Sequence, residues 1–299
     1  ALTQTPTVEA VAAAIRAQTP ASTSSLVAIQ PLGIRPPIYF VHAAGGSVMC
    51  YHELARHMSP EQPVFGLQAQ GIEAGTHAAP DLPAMARHYI DEIRAVQPQG
   101  PYRLAGWSMG GNIVYEMANQ LMLQGEGVAL LGFLDSSTNV FDDPTPLRDN
   151  AAVLAEMFGN EFDVTADMLR TLPQDNLIET AVSMAESHQW LPPGFTVDQA
   201  HRILHVYRSS ETSIKQHKPQ PLTCEAVLYR THEKIEGEED NDPEDRGWGT
   251  LIGGGLTIHP VPGNHINMVM APHSQVLAQV IERDLKAVLP ANLLVHKAG

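Results

Sequence analysis

A mainly parallel α/β sheet with a helical segment inserted late in the chain is the fold class this sequence predicts. Short apolar runs alternate with helix-patterned stretches from Leu26 to Leu134, joined by short loops, which is the order of a βαβ sheet. Two of those runs, Ile38–Val41 (IYFV) and Val128–Leu134 (VALLGFL), are apolar throughout, as strands covered on both faces are. From about Asn139 to Gln220 helical spacing continues and strand patterning stops, over too long a stretch for a plain loop.

Each element follows from local pattern. Val8, Val11 and Ile15 recur at helical spacing behind Pro6 and Thr7, so residues 1–18 read as one amphipathic helix. Residues 19–25 (TPASTSS) are small and polar with a proline and read as a linker. Strands are expected at Leu26–Gln30, Ile38–Val41, Val64–Leu67, Tyr102–Ala105 and Val128–Leu134. Helices are expected at Tyr51–Met58, at Leu82–Val96 and at Asn112–Gln124, the last stopped by Gly125. Within the inserted segment, helices fall at Arg148–Phe158, Ala166–Leu172, Asn176–His188 and Asp198–Gln216. Strand patterns return at Ala226–Arg230 and Leu256–Val261, and a closing helix spans Ser274–Val288. Between those last strands, Glu233–Arg246 holds eight acids against Lys234 and Arg246 and reads as a solvated loop.

Composition removes several classes of function. With 18 Lys+Arg against 33 Asp+Glu the formal charge is −15, which argues against a broad nucleic-acid surface and against docking on anionic lipid. Hydrophobic residues make up 43% and charged residues 17%, the balance of a packed domain rather than a disordered one. Cys50 and Cys224 make neither a disulfide framework nor a CxxC pair, although one bridge between them stays open. No secretory signal is visible and the apolar runs fall short of the roughly 20 residues that span a bilayer, so the expected location is cytoplasmic.

The chemistry begins at Gly106-Trp107-Ser108-Met109-Gly110. A bare G-x-S-x-G is a weak match, but here a strand precedes it and a helix follows, the setting of a nucleophile elbow. Glycines there leave room for a strained turn that lifts the serine oxygen to the helix N-terminus. A serine alcohol needs a base, and the base needs an orienting acid, in the chain order Ser, Asp/Glu, His. Asp135 ends the run VALLGFL and is the expected acid, with Asp142 and Asp143 as alternatives outside the strand end. His265, in the loop after Leu256–Val261, is the expected base, whereas His259 lies inside that strand. The oxyanion donors expected are the amides of Met109, after the nucleophile, and Ala44 in His42-Ala43-Ala44-Gly45-Gly46, with Ala43 as runner-up. His201 and His205 stand at i,i+4 but lack a third ligand, so no metal site is expected. Gly253-Gly254-Gly255 precedes a strand and is no phosphate loop. Trp107 and Trp248 line a pocket or fill core; the sequence does not separate the two.

The segments FVHAAGGSVMCYHELARHM, GPYRLAGWSMGGNIVYEMANQL, ALLGFLDS and WGTLIGGGLTIHPVPGNHINMVMAPH resemble the type I thioesterase domains that end nonribosomal peptide synthetases, members of the α/β-hydrolase superfamily. The resemblance spans about residues 25–290 and is weak over 139–220. It implies an α/β-hydrolase fold, a nucleophile at Ser108, an acid at Asp135, a base at His265 and oxyanion donors at Ala44 and Met109. It implies that the segment 139–220 is a lid. Residues 1–18 resemble the last helix of a peptidyl carrier protein, with residues 291–299 left as a tail. Two positions depart from the family: Ala43 stands where proline is frequent, and Asn264 where aspartate or serine precedes the histidine.

The function so implied is release of a peptidyl or depsipeptidyl chain, delivered as a thioester on the phosphopantetheine arm of an upstream peptidyl carrier domain, by macrocyclisation or hydrolysis. No cofactor bound by the domain itself, no nucleic acid and no membrane are expected. A stand-alone esterase or editing (type II) thioesterase is the rival within enzymes, against which the carrier-like helix speaks. A non-catalytic carrier-binding module is the rival outside them, and it has no need of Ser108, Asp135 and His265 together.

Overall fold

The computed structural model describes residues 24–158, 164–188, 191, 194–233 and 243–290. The helix expected over 1–18, most of the linker and the tail 291–299 lie outside the described residues. Seven strands form one sheet: β1 (Leu26–Gln30), β2 (Ile38–Val41), β3 (Val64–Leu67), β4 (Tyr102–Trp107), β5 (Val128–Leu134), β6 (Ala226–Thr231) and β7 (Leu256–Val261). Their spatial order is β1-β3-β2-β4-β5-β6-β7. Only the edge pair β1–β3 is antiparallel; every other pair is parallel.

Four helices cover the two faces of the sheet. On one face α2 (Leu82–Arg94) and α3 (Met109–Leu123) cover a core built on Tyr39, Leu104, Phe133 and Leu228. On the other face α1 (Cys50–Arg56) and α8 (His273–Ala287) cover Phe40, Ala105, Leu134 and Tyr229. Neighbouring residues of β2, β4, β5 and β6 thus face opposite layers, and both faces are dry, as the uniformly apolar runs imply. Ser24 and Ser25, expected at the end of the linker, sit on this body. Ser25 Oγ lies 3.0 Å from His88 Nε2 and its carbonyl accepts the Gln68 amide at 2.8 Å, while Ser24 Oγ donates to Glu92.

Four helices make up the insertion: α4 (Asn150–Phe158), α5 (Ala166–Arg170), α6 (Leu177–Ser187) and α7 (Val197–Lys215). No strand occurs among the described residues of 139–220, in line with the pattern of the sequence. The start of α7 is fixed by a reciprocal capping box between Thr196 and Gln199. The insertion has its own apolar cluster, including Val153, Leu154, Leu169, Ala181 and Leu204. Two residues of the loops at the sheet's end join it: Ala44, which is buried in the cluster, and Met109, which packs against it.

The order of the strands decides where a site forms. The chain leaves β2 toward β3 and returns at β4 on the opposite side, so the direction of winding reverses between β2 and β4. A crevice opens at such a reversal beyond the carboxyl ends of the strands, and ligands bind there. The HAAGG loop after β2 and the GWSMG turn after β4 flank it, and register pairs Val41 with Gly106.

Candidate active site

Ser108 sits between β4 and α3 with φ 55° and ψ −128°, a left-handed conformation that costs a non-glycine residue about 1–3 kcal/mol. Its amide is held by the Leu134 carbonyl at 3.0 Å, and its own carbonyl accepts the Gly111 amide at 3.0 Å. The flanking glycines are required sterically. A Cβ on Gly106 would meet the Gly110 carbonyl carbon at 2.2 Å, and one on Gly110 would meet the Val41 carbonyl oxygen at 2.5 Å. The helix α3 begins at Met109 and not at Asn112, and β4 extends to Trp107 and not only to Ala105.

Ser108 Oγ lies 3.0 Å from His265 Nε2, and His265 Nδ1 lies 2.9 Å from Asp135 Oδ2. Three residues from three strand ends thus form one hydrogen-bond chain. In the neutral tautomer that the network requires, Nδ1–H donates to Asp135 and Nε2 accepts from the serine hydroxyl. Asp135 is 1% exposed. Its Oδ1 accepts the Thr231 amide at 3.0 Å, and its Oδ2 also accepts from Arg246 at 3.1 Å. Burial pushes the Asp135 carboxyl up. The hydrogen bond and charge of His265, the Arg246 guanidinium and the Thr231 amide more than offset this and hold it below the ordinary carboxylate range.

The other candidates are placed elsewhere. Asp142 and Asp143 pair with Lys218 and Lys215, at 3.8 and 2.8 Å, not with His265. His259 pairs with Asp284 at 3.3 Å on the far side of β7. His201 contacts Glu179 at 3.5 Å, and the described residues hold no cluster of three metal-ligating side chains. Both cysteines are free. Asn264, the departure before His265, caps the turn: its Oδ1 accepts the amides of Ile266 and Asn267 at 3.0 and 3.1 Å.

Ala44 and Met109 both line the cavity that Ser108 and His265 open into, and neither amide has a backbone acceptor among the described residues. The Ala43 carbonyl, in the same peptide unit as the Ala44 amide, accepts the Gly46 amide at 2.9 Å and lies 2.7 Å from His42 Nδ1. His42 is fully buried, and its Nε2 lies 2.8 Å from the Tyr89 hydroxyl. Burial pulls its pKa down to about 4, with the bond to Ala43 working the other way, so the ring is neutral at ordinary pH.

Further contributors are not evident from local pattern. Arg246 closes the expected solvated loop onto the site, so the C-terminal end of that tract is a correction to the sequence reading. Its carbonyl accepts the Thr138 amide at 3.0 Å while its guanidinium reaches Asp135. The N-terminal end is likewise engaged, with Glu233 Oε1 accepting the Gly263 amide at 2.9 Å. Trp107 Nε1 donates to the His265 carbonyl at 2.9 Å, anchoring the histidine loop. Trp248 fills core, stacked on Phe133 with ring centroids 3.8 Å apart and donating to the Ser136 carbonyl. The pair of tryptophans is thereby resolved: one positions the loop, the other supports the end of β5.

A parallel sheet with a strained serine after a central strand, facing a histidine and an aspartate from later strand ends, defines a protein of the α/β-hydrolase class. The family model described as thioesterase domain matches residues 36–285, and the chain belongs to that family. It is 31% identical, over 94% of its own length, to a dimodular nonribosomal peptide synthase of Bacillus subtilis, of which it covers 12%. It is 26% identical over 88% of its length to malpibaldin synthetase of Mortierella alpina, of which it covers 4%. The chain therefore spans a small part of these curated relatives. Among solved structures, a four-domain nonribosomal peptide synthetase bound to AMP and glycine superposes with a TM-score of 0.80 at 27% identity, covering 93% of this chain and 21% of that one. The NocB thioesterase domain, at 23% identity and a TM-score of 0.66, shares the fold over 88% of this chain and 100% of that one. Among the described residues no helix is long and apolar enough to cross a membrane.

Proposed function

We propose that this domain releases a peptidyl or depsipeptidyl chain from a synthetase by acyl transfer through Ser108. The observation that carries the reading is the continuous hydrogen-bond chain Ser108–His265–Asp135 at 3.0 and 2.9 Å, opening into a cavity of about 800 Å³ beneath the helical insertion. The thioester arrives on the phosphopantetheine arm of a peptidyl carrier domain. Similarity to nonribosomal peptide synthases supports that donor.

His265 Nε2 takes the Ser108 proton as Oγ bonds to the thioester carbonyl carbon. The carbonyl π pair moves onto oxygen, and the amides of Met109 and Ala44 hold the resulting oxyanion. Asp135 orients His265 and stabilises the imidazolium without taking its proton. The C–S bond then breaks, His265 returns the proton to the departing thiolate, and the acyl group stays on Ser108. In the second half His265 deprotonates water, giving a free acid, or an amine or hydroxyl of the same chain, giving a macrocycle. Ser108 leaves as the alcohol. The insertion α4–α7 acts as the lid that limits water in this half.

Treating the intact chain with a fluorophosphonate and measuring its mass tests the reading. One adduct, mapped to Ser108 and absent from Ser108→Ala, is expected. Turnover of acyl thioesters by Ser108→Ala at the native rate overturns it.

A further inference from the structure

We propose that Glu211 forms a cation-binding subsite in the product cavity, selecting acyl chains that carry a protonated amine or a guanidinium. The proposal rests on the thioesterase reading above and names the class of chain it favours.

Ser108 and His265 occupy one part of the cavity wall; α7 and the chain around α4 supply a charged part with Asp143, Arg148, Glu156, Glu211 and Lys215. Lys215 is spent on its own partners: Asp143 at 2.8 Å, and the Thr145 hydroxyl and carbonyl at 2.7 and 3.1 Å. Arg148 bonds Glu156 and the Tyr207 hydroxyl, and its guanidinium carbon lies 5.1 Å from the centre of the Tyr207 ring. Glu211 shares the same arginine, its Oε1 forming an ion pair with Arg148 Nε at 3.6 Å, longer than a hydrogen bond. Two cations thus meet three carboxylates, Arg148 is divided between Glu156 and Glu211, and Glu211 holds the longer of its two pairs.

Glu211 is 6% exposed, yet its Oε2 has no hydrogen-bond partner among the described residues. A buried carboxylate oxygen without a donor is costly, and a bound N–H cation is the chemistry that satisfies it. Val140, Ala155 and Ile214 line the same cavity and suit the methylene stem of such a group. An N–H donor is needed, so a quaternary ammonium does not substitute.

The test uses the intact chain and two series of N-acetylcysteamine thioesters of rising acyl length, one ending in a primary amine and one in its acetamide. At one length the amine is expected to exceed the acetamide in kcat/KM by about tenfold or more, through KM, the gain of one charge-assisted hydrogen bond. In Glu211→Gln that ratio is expected to fall to near one. A ratio near one at every length in the unaltered protein, or a ratio unchanged in Glu211→Gln, overturns the subsite. Should that variant fail to fold, a trimethylammonium chain in the unaltered protein decides. Loss of the preference supports Glu211 as acceptor, and its persistence assigns it to the general negative charge of the chain and overturns the subsite. Equal turnover of both series removes the subsite alone, whereas no turnover together with no fluorophosphonate adduct on Ser108 removes the thioesterase reading with it.

Discussion

Arg246 and His265 meet on a single oxygen: Asp135 Oδ2 accepts from the guanidinium at 3.1 Å and from the imidazole at 2.9 Å. The arginine comes from the loop between β6 and β7, so a loop that sequence alone reads as solvent-facing supplies one of the groups that keep the Asp135 carboxyl ionised.

Replacing Arg246 by Met is therefore expected to make the fold more acid-sensitive. A carboxyl whose folded value is depressed contributes stability above its unfolded value, and loses it as pH falls through the folded value. Removing Arg246 raises that folded value, so the acid-unfolding midpoint moves to higher pH, with roughly 1–3 kcal/mol lost at neutral pH. Circular dichroism during acid titration of both proteins measures this; an unmoved midpoint contradicts it.

Asp135→Asn is expected to keep the fold and lose turnover by about 10⁴-fold, because an amide donor facing Nδ1 favours the tautomer that cannot accept the serine proton. Single-turnover rates on an acyl thioester, read beside a circular-dichroism spectrum that shows the fold retained, check it.

Two glycines of the site region, Gly110 and Gly45, separate a tightly packed position from an open one. Gly110→Ala puts a Cβ 2.5 Å from the Val41 carbonyl oxygen, whereas at Gly45 nothing lies within 4 Å. The first is expected to lower stability by about 3 kcal/mol or more and the second by less than about 1 kcal/mol. Thermal melts of the pair decide, and equal losses would count against the packing argument.

His42 predicts a further pH dependence. Its folded value of about 4 lies below the ordinary value near 6.5, so the unfolded chain binds a proton first. Stability then declines as pH falls from about 6.5 to about 4 and flattens below, by at most about 3 kcal/mol. Urea unfolding across that range is expected to show the decline in the native chain and a shallower one in His42→Gln. The same variant loosens the Ala43 carbonyl and is expected to slow acyl transfer.

Much of this is legible in the sequence where the signal is local. The bounds of β5 coincide with the run Val128–Leu134, because a strand dry on both faces admits no polar residue to blur its ends. Ser108 stands in a five-residue motif, and Asp135 and His265 follow from the strands that end beside them. Arg246 escapes because its partner lies 111 residues away and its neighbours are acidic. Trp107 looks the same from sequence whether it fills core or holds a loop, since the distinction lies in one N–H reaching His265 across 158 residues. The sequence pattern opens α3 at Asn112, whereas the helix begins at Met109, with Gly110 packed closely on the Val41 and His42 carbonyls.

The apolar cluster of the insertion includes Ala44 and draws in Met109. Selectivity and rate are therefore not independent dials in this architecture. Side chains exchanged on α4–α7 press on the same two residues that line the cavity beside Ser108. Exchanging the insertion for that of a related domain is consequently expected to disturb the turns after β2 and β4 as well as the cavity wall.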